Sequence, residues 1–235
     1  MQPFTILFTL GALGALVWLG LTKTGRVPQS APLDAGLSAL AGAVVGARLV
    51  FVAAHLQYFR TAPLEVFWIW QGGLSGFGAV VGALAGAGIY ASFSSQPFWP
   101  LVDRLALPAH APAFAAWVGC LLEGCAYGIR LPNAAWIPAS PDILGIAQTR
   151  WPTQSLGALA TLLAVVLLAS LRHRTSTQGL ITSSALLYHG GVLLGLSLVR
   201  ADPVPLVFSL RGDAVGAIGL MAIGIATHLW RQAQR

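Results

Sequence analysis

Four places in this chain put ionisable side chains inside long apolar runs or at their ends, and any chemistry is to be sought there first. Arg48 follows Gly46-Ala47 deep in a run that ends near Tyr58. A guanidinium keeps its proton. Arg48 must therefore reach a polar cavity, a carboxylate or a lipid phosphate, or snorkel to the headgroups. Glu123 lies between Gly119 and Gly128, with Tyr127 four residues on and so on the same helical face. An ion pair with Arg48 would neutralise both; the alternative is a protonated, hydrogen-bonded acid. Tyr188 and His189 sit within the sixth run. Imidazole titrates nearest neutrality, which makes His189, with Glu123, a candidate base. Arg200 and Asp202 close that run, either as an interfacial pair or with Arg200 holding a lipid phosphate.

Other residue types carry less. His55, His110, His173 and His228 fall near run ends or in loops. Cys120 and Cys125 lie in one apolar run without a zinc spacing or an evident disulfide framework. On a continuous helix an offset of five puts them on different faces, so they read as inert packing residues. A nucleophilic cysteine would define a different transferase. No metal cluster, cofactor loop or Ser-His-Asp arrangement is evident, and Gly76-x-Gly78 lacks the third glycine of a dinucleotide site.

The elements that must position these residues follow from composition. Of 235 residues, 56% are hydrophobic and 9% charged, against about 25% charged in soluble domains. That excludes a disordered chain, a disulfide scaffold and almost any soluble enzyme. A bilayer core takes about 20 apolar residues per helix. Seven such runs occur, near 4–22, 35–58, 72–93, 111–127, 153–171, 179–199 and 212–230. The expected fold is an all-α polytopic membrane protein forming a single transmembrane domain over 1–235. No strand alternation suggests a barrel. Gly78, Gly82 and Gly86 recur every four residues, the spacing that lets membrane helices approach closely.

The net charge of +6 would suggest nucleic acid in a soluble protein. Here the basic residues are scattered between apolar runs, where they orient the chain rather than bind nucleic acid. The first positive charge, Lys23, follows the first apolar run, unlike a cleaved leader. With the N-terminus outside and the C-terminus cytoplasmic, Lys23, Arg26, Arg104, Arg172, Arg174, Arg231 and Arg235 fall inside. Arg60, Arg130, Arg150, Arg200 and Arg211 fall outside, and Arg48 lies within a helix.

The segments Gly46-Ala47-Arg48, Trp70-Gln71-Gly72-Gly73-Leu74-Ser75-Gly76-Phe77-Gly78, Gly119-Cys120 through Tyr127-Gly128, Trp151-Pro152-Thr153-Gln154 and Arg200-Ala201-Asp202-Pro203 together resemble the prolipoprotein diacylglyceryl transferase family. The resemblance runs from about residue 4 to 230. It implies seven helices in the bacterial inner membrane. It also implies transfer of a diacylglyceryl group from phosphatidylglycerol to the lipobox cysteine of a prolipoprotein, yielding a thioether and glycerol 1-phosphate. The partners implied are phosphatidylglycerol or another anionic phospholipid, the prolipoprotein signal peptide and the bilayer. Arg48, Gln71, Gly72, Gly73, Gln154 and Arg200 carry over, and all but Gln154 are assigned to phospholipid binding. Phe77 stands where the family has His. Trp117 and Leu193 stand at family arginines, Cys120 at an Asn, and Cys125, Gly157 and Ser197 at Glu positions. These replacements motivate an alternative: a catalytically degenerate member that binds lipid or assists another membrane protein.

Overall fold

The computed structural model describes residues 3–22, 31–132, 134 and 136–234. Lys23, Arg26 and Arg235, used above to orient the chain, lie outside the described residues. Among the described residues, seven helical segments are long and apolar enough to cross a membrane, in accord with the expected all-α membrane fold. Helix α1 is Pro3–Leu21 and α2 is Ala31–Ala54. A short α3, Leu56–Thr61, precedes 3-10 turns at Pro63–Phe67 and Ile69–Gln71, and α4 is Gly76–Ser94. Helices α5, Phe98–Ala106, and α6, His110–Glu123, together make one span. Helices α7, Thr153–Arg174, α8, Leu180–Ser197, and α9, Gly212–Ala233, complete the set.

Many large apolar side chains of the helices are exposed, while small residues make their closest contacts. In α1, Ala12 and Ala15 are buried while Leu10, Leu13, Val17 and Leu21 are exposed. Facing acyl chains, such surfaces carry no desolvation cost, and association relies on close packing. The α2–α4 contact shows how. Gly78, Gly82 and Gly86 form one buried face of α4. A methyl group on Gly82 would run into the Gly42 carbonyl, and one on Gly86 into the Ser38 carbonyl. The backbones are close enough for Ser38 Oγ to donate to Gly86 O at 2.8 Å.

Three element boundaries depart from the apolar runs. Helix α2 stops at Ala54, because His55 leaves helical geometry and Pro63 follows soon after. Residues 72–75 are not helical: Gly72 and Gly73 adopt φ of +88° and +72°, and Ser75 caps α4 by accepting from Gly78 N at 3.3 Å. The fourth span runs from Phe98 to Glu123 rather than 111–127. Its charged Asp103 is tolerated because the carboxylate caps α8, accepting from Gly179 N (2.5 Å), Thr182 N (2.8 Å) and Thr182 Oγ1 (2.7 Å). At the other end Gly124, in left-handed conformation, terminates α6.

Helix α1 runs antiparallel to α6. Gly11 packs on Ala111 and Pro112, Gly119 packs on Phe4, and Phe4 N donates to Glu123 at 2.7 Å. The start of α1, the end of α6 and the start of α7 thus share one end of the bundle. There the described residues of 124–132, 136–152 and 198–211 build a cap. Short hairpins pair Ala139–Pro141 (β1) with Ala147–Thr149 (β2), and Leu206–Val207 (β3) with Leu210–Arg211 (β4). Isolated bridges Gly128–Arg200 and Arg130–Arg150 tie the cap segments together.

Candidate functional site

Arg48 is buried, 8% exposed, and every guanidinium nitrogen is used. Nε donates to Val66 O at 2.8 Å, Nη1 to Gly72 O (2.9 Å) and Gly73 O (3.1 Å), and Nη2 to Glu65 O. The rings of Phe51 and Phe59 lie 5.7 and 5.3 Å from the guanidinium carbon. The positive φ at Gly72 and Gly73 turns consecutive carbonyls toward α2, and Ser75 N closes the loop on Ala47 O at 3.0 Å. Gly73 has no room for a side chain, since an added Cβ would lie 2.9 Å from Arg48 Nη1. Carbonyl dipoles and two ring faces therefore solvate the cation.

Of the two alternatives for Glu123, the pair with Arg48 does not form. The 65–73 loop offers four backbone acceptors directly beside Arg48. Glu123 instead serves the first turn of α1 through Phe4 N, where a carboxylate also opposes the helix dipole. Only one Glu123 oxygen is engaged by a described residue, and the side chain is half-buried. Gln71 and Gly72 are exposed on the loop.

The Pro-Thr-Gln segment grips the turn after α6. Thr153 Oγ1 donates to Ala126 O at 2.5 Å, and Gln154 Nε2 to Cys125 O at 2.9 Å. Both side chains are essentially fully buried. The cysteines are not inert: Cys120 and Cys125 form a disulfide. The helix they were expected to share ends at Glu123, and the left-handed Gly124 folds Cys125 back over Cys120.

Arg200 lies in a balanced network. It contacts Asp202 at 2.8 Å (Nε–Oδ1) and 2.5 Å (Nη2–Oδ2), and Asp213 at 3.4 Å. Arg211 contacts Asp213 at 3.1 Å and Asp202 at 3.4 Å. Burial alone would pull the Arg200 pKa down, but the hydrogen bond and charge of Asp202, with Asp213, lift it above the ordinary value. Beside it, a buried Arg150–Asp142 pair (2.8 Å) fixes the β1–β2 hairpin. Asp142 also accepts from Leu144 N and Ile146 N at 3.0 Å each, and Arg150 lies 4.7 Å from the Tyr127 ring centroid.

His189 sits elsewhere. Its Nε2 lies 2.8 Å from Nε2 of His110, while Tyr188 OH donates to Ala160 O. His110 is thirteen positions from Glu123 along α6, about 20 Å of helix. The two candidate bases are therefore not brought together. Sequence reasoning missed His110, the Asp142–Arg150 pair, the disulfide and the Arg211–Asp213 contribution. The one available signal was Asp142 and Arg150 flanking a glycine-bearing turn.

Phe77 and Trp117 are packed on glycines. Phe77 lies against Gly216 and Gly219 of α9, where an added Cβ would meet it at 2.8 and 2.9 Å. The Trp117 indole covers Gly157 closely enough to exclude any side chain. Phe77 also links the two clamps: it follows the Arg48 loop and packs one turn beyond Asp213, the partner of Arg200.

Fold and site define a polytopic helical membrane protein that gathers its arginine clamps, ion pairs and disulfide at one end of the bundle. The chain belongs to the prolipoprotein diacylglyceryl transferase family, whose model matches residues 1–230. It is similar to phosphatidylglycerol–prolipoprotein diacylglyceryl transferases from several bacteria. With the one from Geobacillus kaustophilus it shares 28% identity, covering 99% of this chain and 90% of the relative. For Symbiobacterium thermophilum the identity is 29% (94% and 85% covered), and for Streptococcus agalactiae 28% (93% and 87%).

Proposed function

We propose that this chain is an inner-membrane transferase moving a diacylglyceryl group from phosphatidylglycerol to the lipobox cysteine of a prolipoprotein, acting as a single transmembrane domain. The observation that carries this reading is the Arg48 clamp. The residues that tie the chain to the family are the ones that hold the Gln71-Gly72-Gly73 loop at the cap end. Arg48 is then a positioning residue, and the exposed Gln71 and Gly72 face the headgroup. In the reaction the cysteine sulfur forms a bond to the glyceryl carbon, and the carbon–oxygen bond to phosphate breaks. Glycerol phosphate leaves with the electron pair. The thiol proton passes to a base, for which Glu123 is the cap-end candidate; His189, in mid-span, is separated from it. Arg200 meets a phosphate only by exchanging a carboxylate of its network for it.

The disulfide supports the orientation with the N-terminus outside. Disulfides persist in oxidising compartments, and the Cys120–Cys125 end of α6 is where α1 begins. A membrane-impermeant maleimide added to intact cells should label these cysteines after reduction by an impermeant phosphine. Labelling that requires permeabilised cells would invert the topology.

A second reading, a lipid-binding member without turnover, is favoured by one observation. Phe77 and Trp117, at positions where the resemblance implies ionisable groups, pack on glycines. The test is the purified chain in phosphatidylglycerol vesicles with a lipobox peptide. Thioether peptide and released glycerol phosphate support transfer. Retained phosphatidylglycerol with neither product supports the second reading.

A further inference from the structure

The opposite end of the bundle holds a cleft of about 240 Å³ between the start of α2, the α4–α5 turn, α5 and the α7–α8 loop. This is several times the volume of one water and below that of drug-sized pockets. Its polar lining includes Gln96, Arg104, Arg172, Thr175, Ser176 and Thr177. Asp103 also borders it, but that carboxylate is committed to the start of α8 through three hydrogen bonds. Arg104 donates through Nη2 to Thr22 O (2.8 Å) and Thr22 Oγ1 (3.2 Å), which fixes its head at the cleft wall. Arg172 is exposed. The α7–α8 loop is held in place by Arg231, which donates to Gln178 O at 2.7 Å and lies 5.6 Å from the ring centroids of both Trp99 and Trp230. Tryptophans of this kind mark the headgroup level of a bilayer. Two arginines and three hydroxyl-bearing residues thus line one concavity at that level.

We propose that this cleft binds a phosphate group carrying a small polar substituent, presented by an anionic phospholipid headgroup of the adjoining leaflet or by a soluble phosphate monoester. Basic pockets between membrane helices at the cytoplasmic surface recognise such headgroups. Guanidinium groups match phosphate oxygens in geometry as well as charge. The hydroxyls of Thr175, Ser176 and Thr177 suit a glycerol-like substituent. The site is separate from the cap-end site by the length of the bundle and does not depend on turnover there. The orientation proposed above only names the leaflet as the inner one.

The test uses the full chain in zwitterionic detergent with phosphatidylglycerol bearing a photoreactive group near the headgroup, and with phosphatidylcholine bearing the same group. Crosslinks are mapped by mass spectrometry. Phosphatidylglycerol should label peptides 96–106 and 172–179 in preference to phosphatidylcholine. That labelling should fall about fivefold in Arg172→Gln and about twentyfold in the Arg104→Gln/Arg172→Gln double variant. Labelling of the cap end serves as an internal control for folding. Millimolar glycerol 3-phosphate or inorganic phosphate distinguishes the sources: displacement assigns the site to a soluble phosphate, and persistence assigns it to the lipid, both supporting an anion site. Equal labelling by the two lipids, or unchanged labelling in Arg172→Gln, overturns it.

Discussion

Replacing Arg48 with Met keeps most of the side chain's length and removes every donor. Four carbonyls, of Glu65, Val66, Gly72 and Gly73, then lose their partner. A buried acceptor left unpaired costs about 1–3 kcal/mol. Gly72 is exposed, and Glu65, Val66 and Gly73 are only half-buried, so water recovers part of the loss. A net penalty of about 3–4 kcal/mol follows, below the simple sum because the four share one side chain. Because the donors tie α2 to a loop, the penalty falls on local opening of residues 65–75. Hydrogen exchange there should speed up a few hundredfold, while amides in α7 and α8 change little. Arg48→Lys keeps the charge but offers three donors from one point, so it should land between wild type and Arg48→Met. Exchange in residues 65–75 that is unchanged in Arg48→Met would show that the carbonyl cage does not hold the loop.

Two further outcomes can be checked with the same protein. Asp142→Ala leaves the Arg150 cation buried beside Tyr127 without its carboxylate; thermal or denaturant unfolding should show a loss of about 3–5 kcal/mol, and a loss under 1 kcal/mol would mean water reaches the pair. Gly157→Glu drives a side chain into the Trp117 indole and should unfold at lower temperature than wild type, with Trp117→Arg relieving it. If the double variant is no more stable than Gly157→Glu, the two positions are not coupled in the way their packing implies.

The membrane fold was legible because lipid imposes a length and a composition on each span, and the Gly78/Gly82/Gly86 face was legible because its spacing is fixed by helix geometry. Its partner glycines on α2, Gly42 and Gly46, share that spacing of four, but a single pair does not show which helix it packs against. The fourth span was misplaced because Asp103 and Arg104 look like loop residues until α8 supplies donors for the carboxylate. The site was read less well, for one recurrent reason. For a buried arginine the sequence leaves a polar cavity, a carboxylate, a lipid phosphate or snorkelling open, and the chain settles it by bending two glycines into positive φ to supply carbonyls. Periodicity cannot show where a carbonyl will point. The disulfide was missed because a helix was extended past the glycine that ends it. His110 was set aside as a run-end histidine, whereas the structure places it against His189.

The most direct test of the account is turnover itself: purified chain, phosphatidylglycerol vesicles and a lipobox peptide, read by mass spectrometry for the diacylglyceryl thioether and for glycerol phosphate. The wild type should yield both products in equal amounts, and Arg48→Met strongly reduced amounts of each. A folded wild-type chain that retains phosphatidylglycerol yet forms neither product would contradict it.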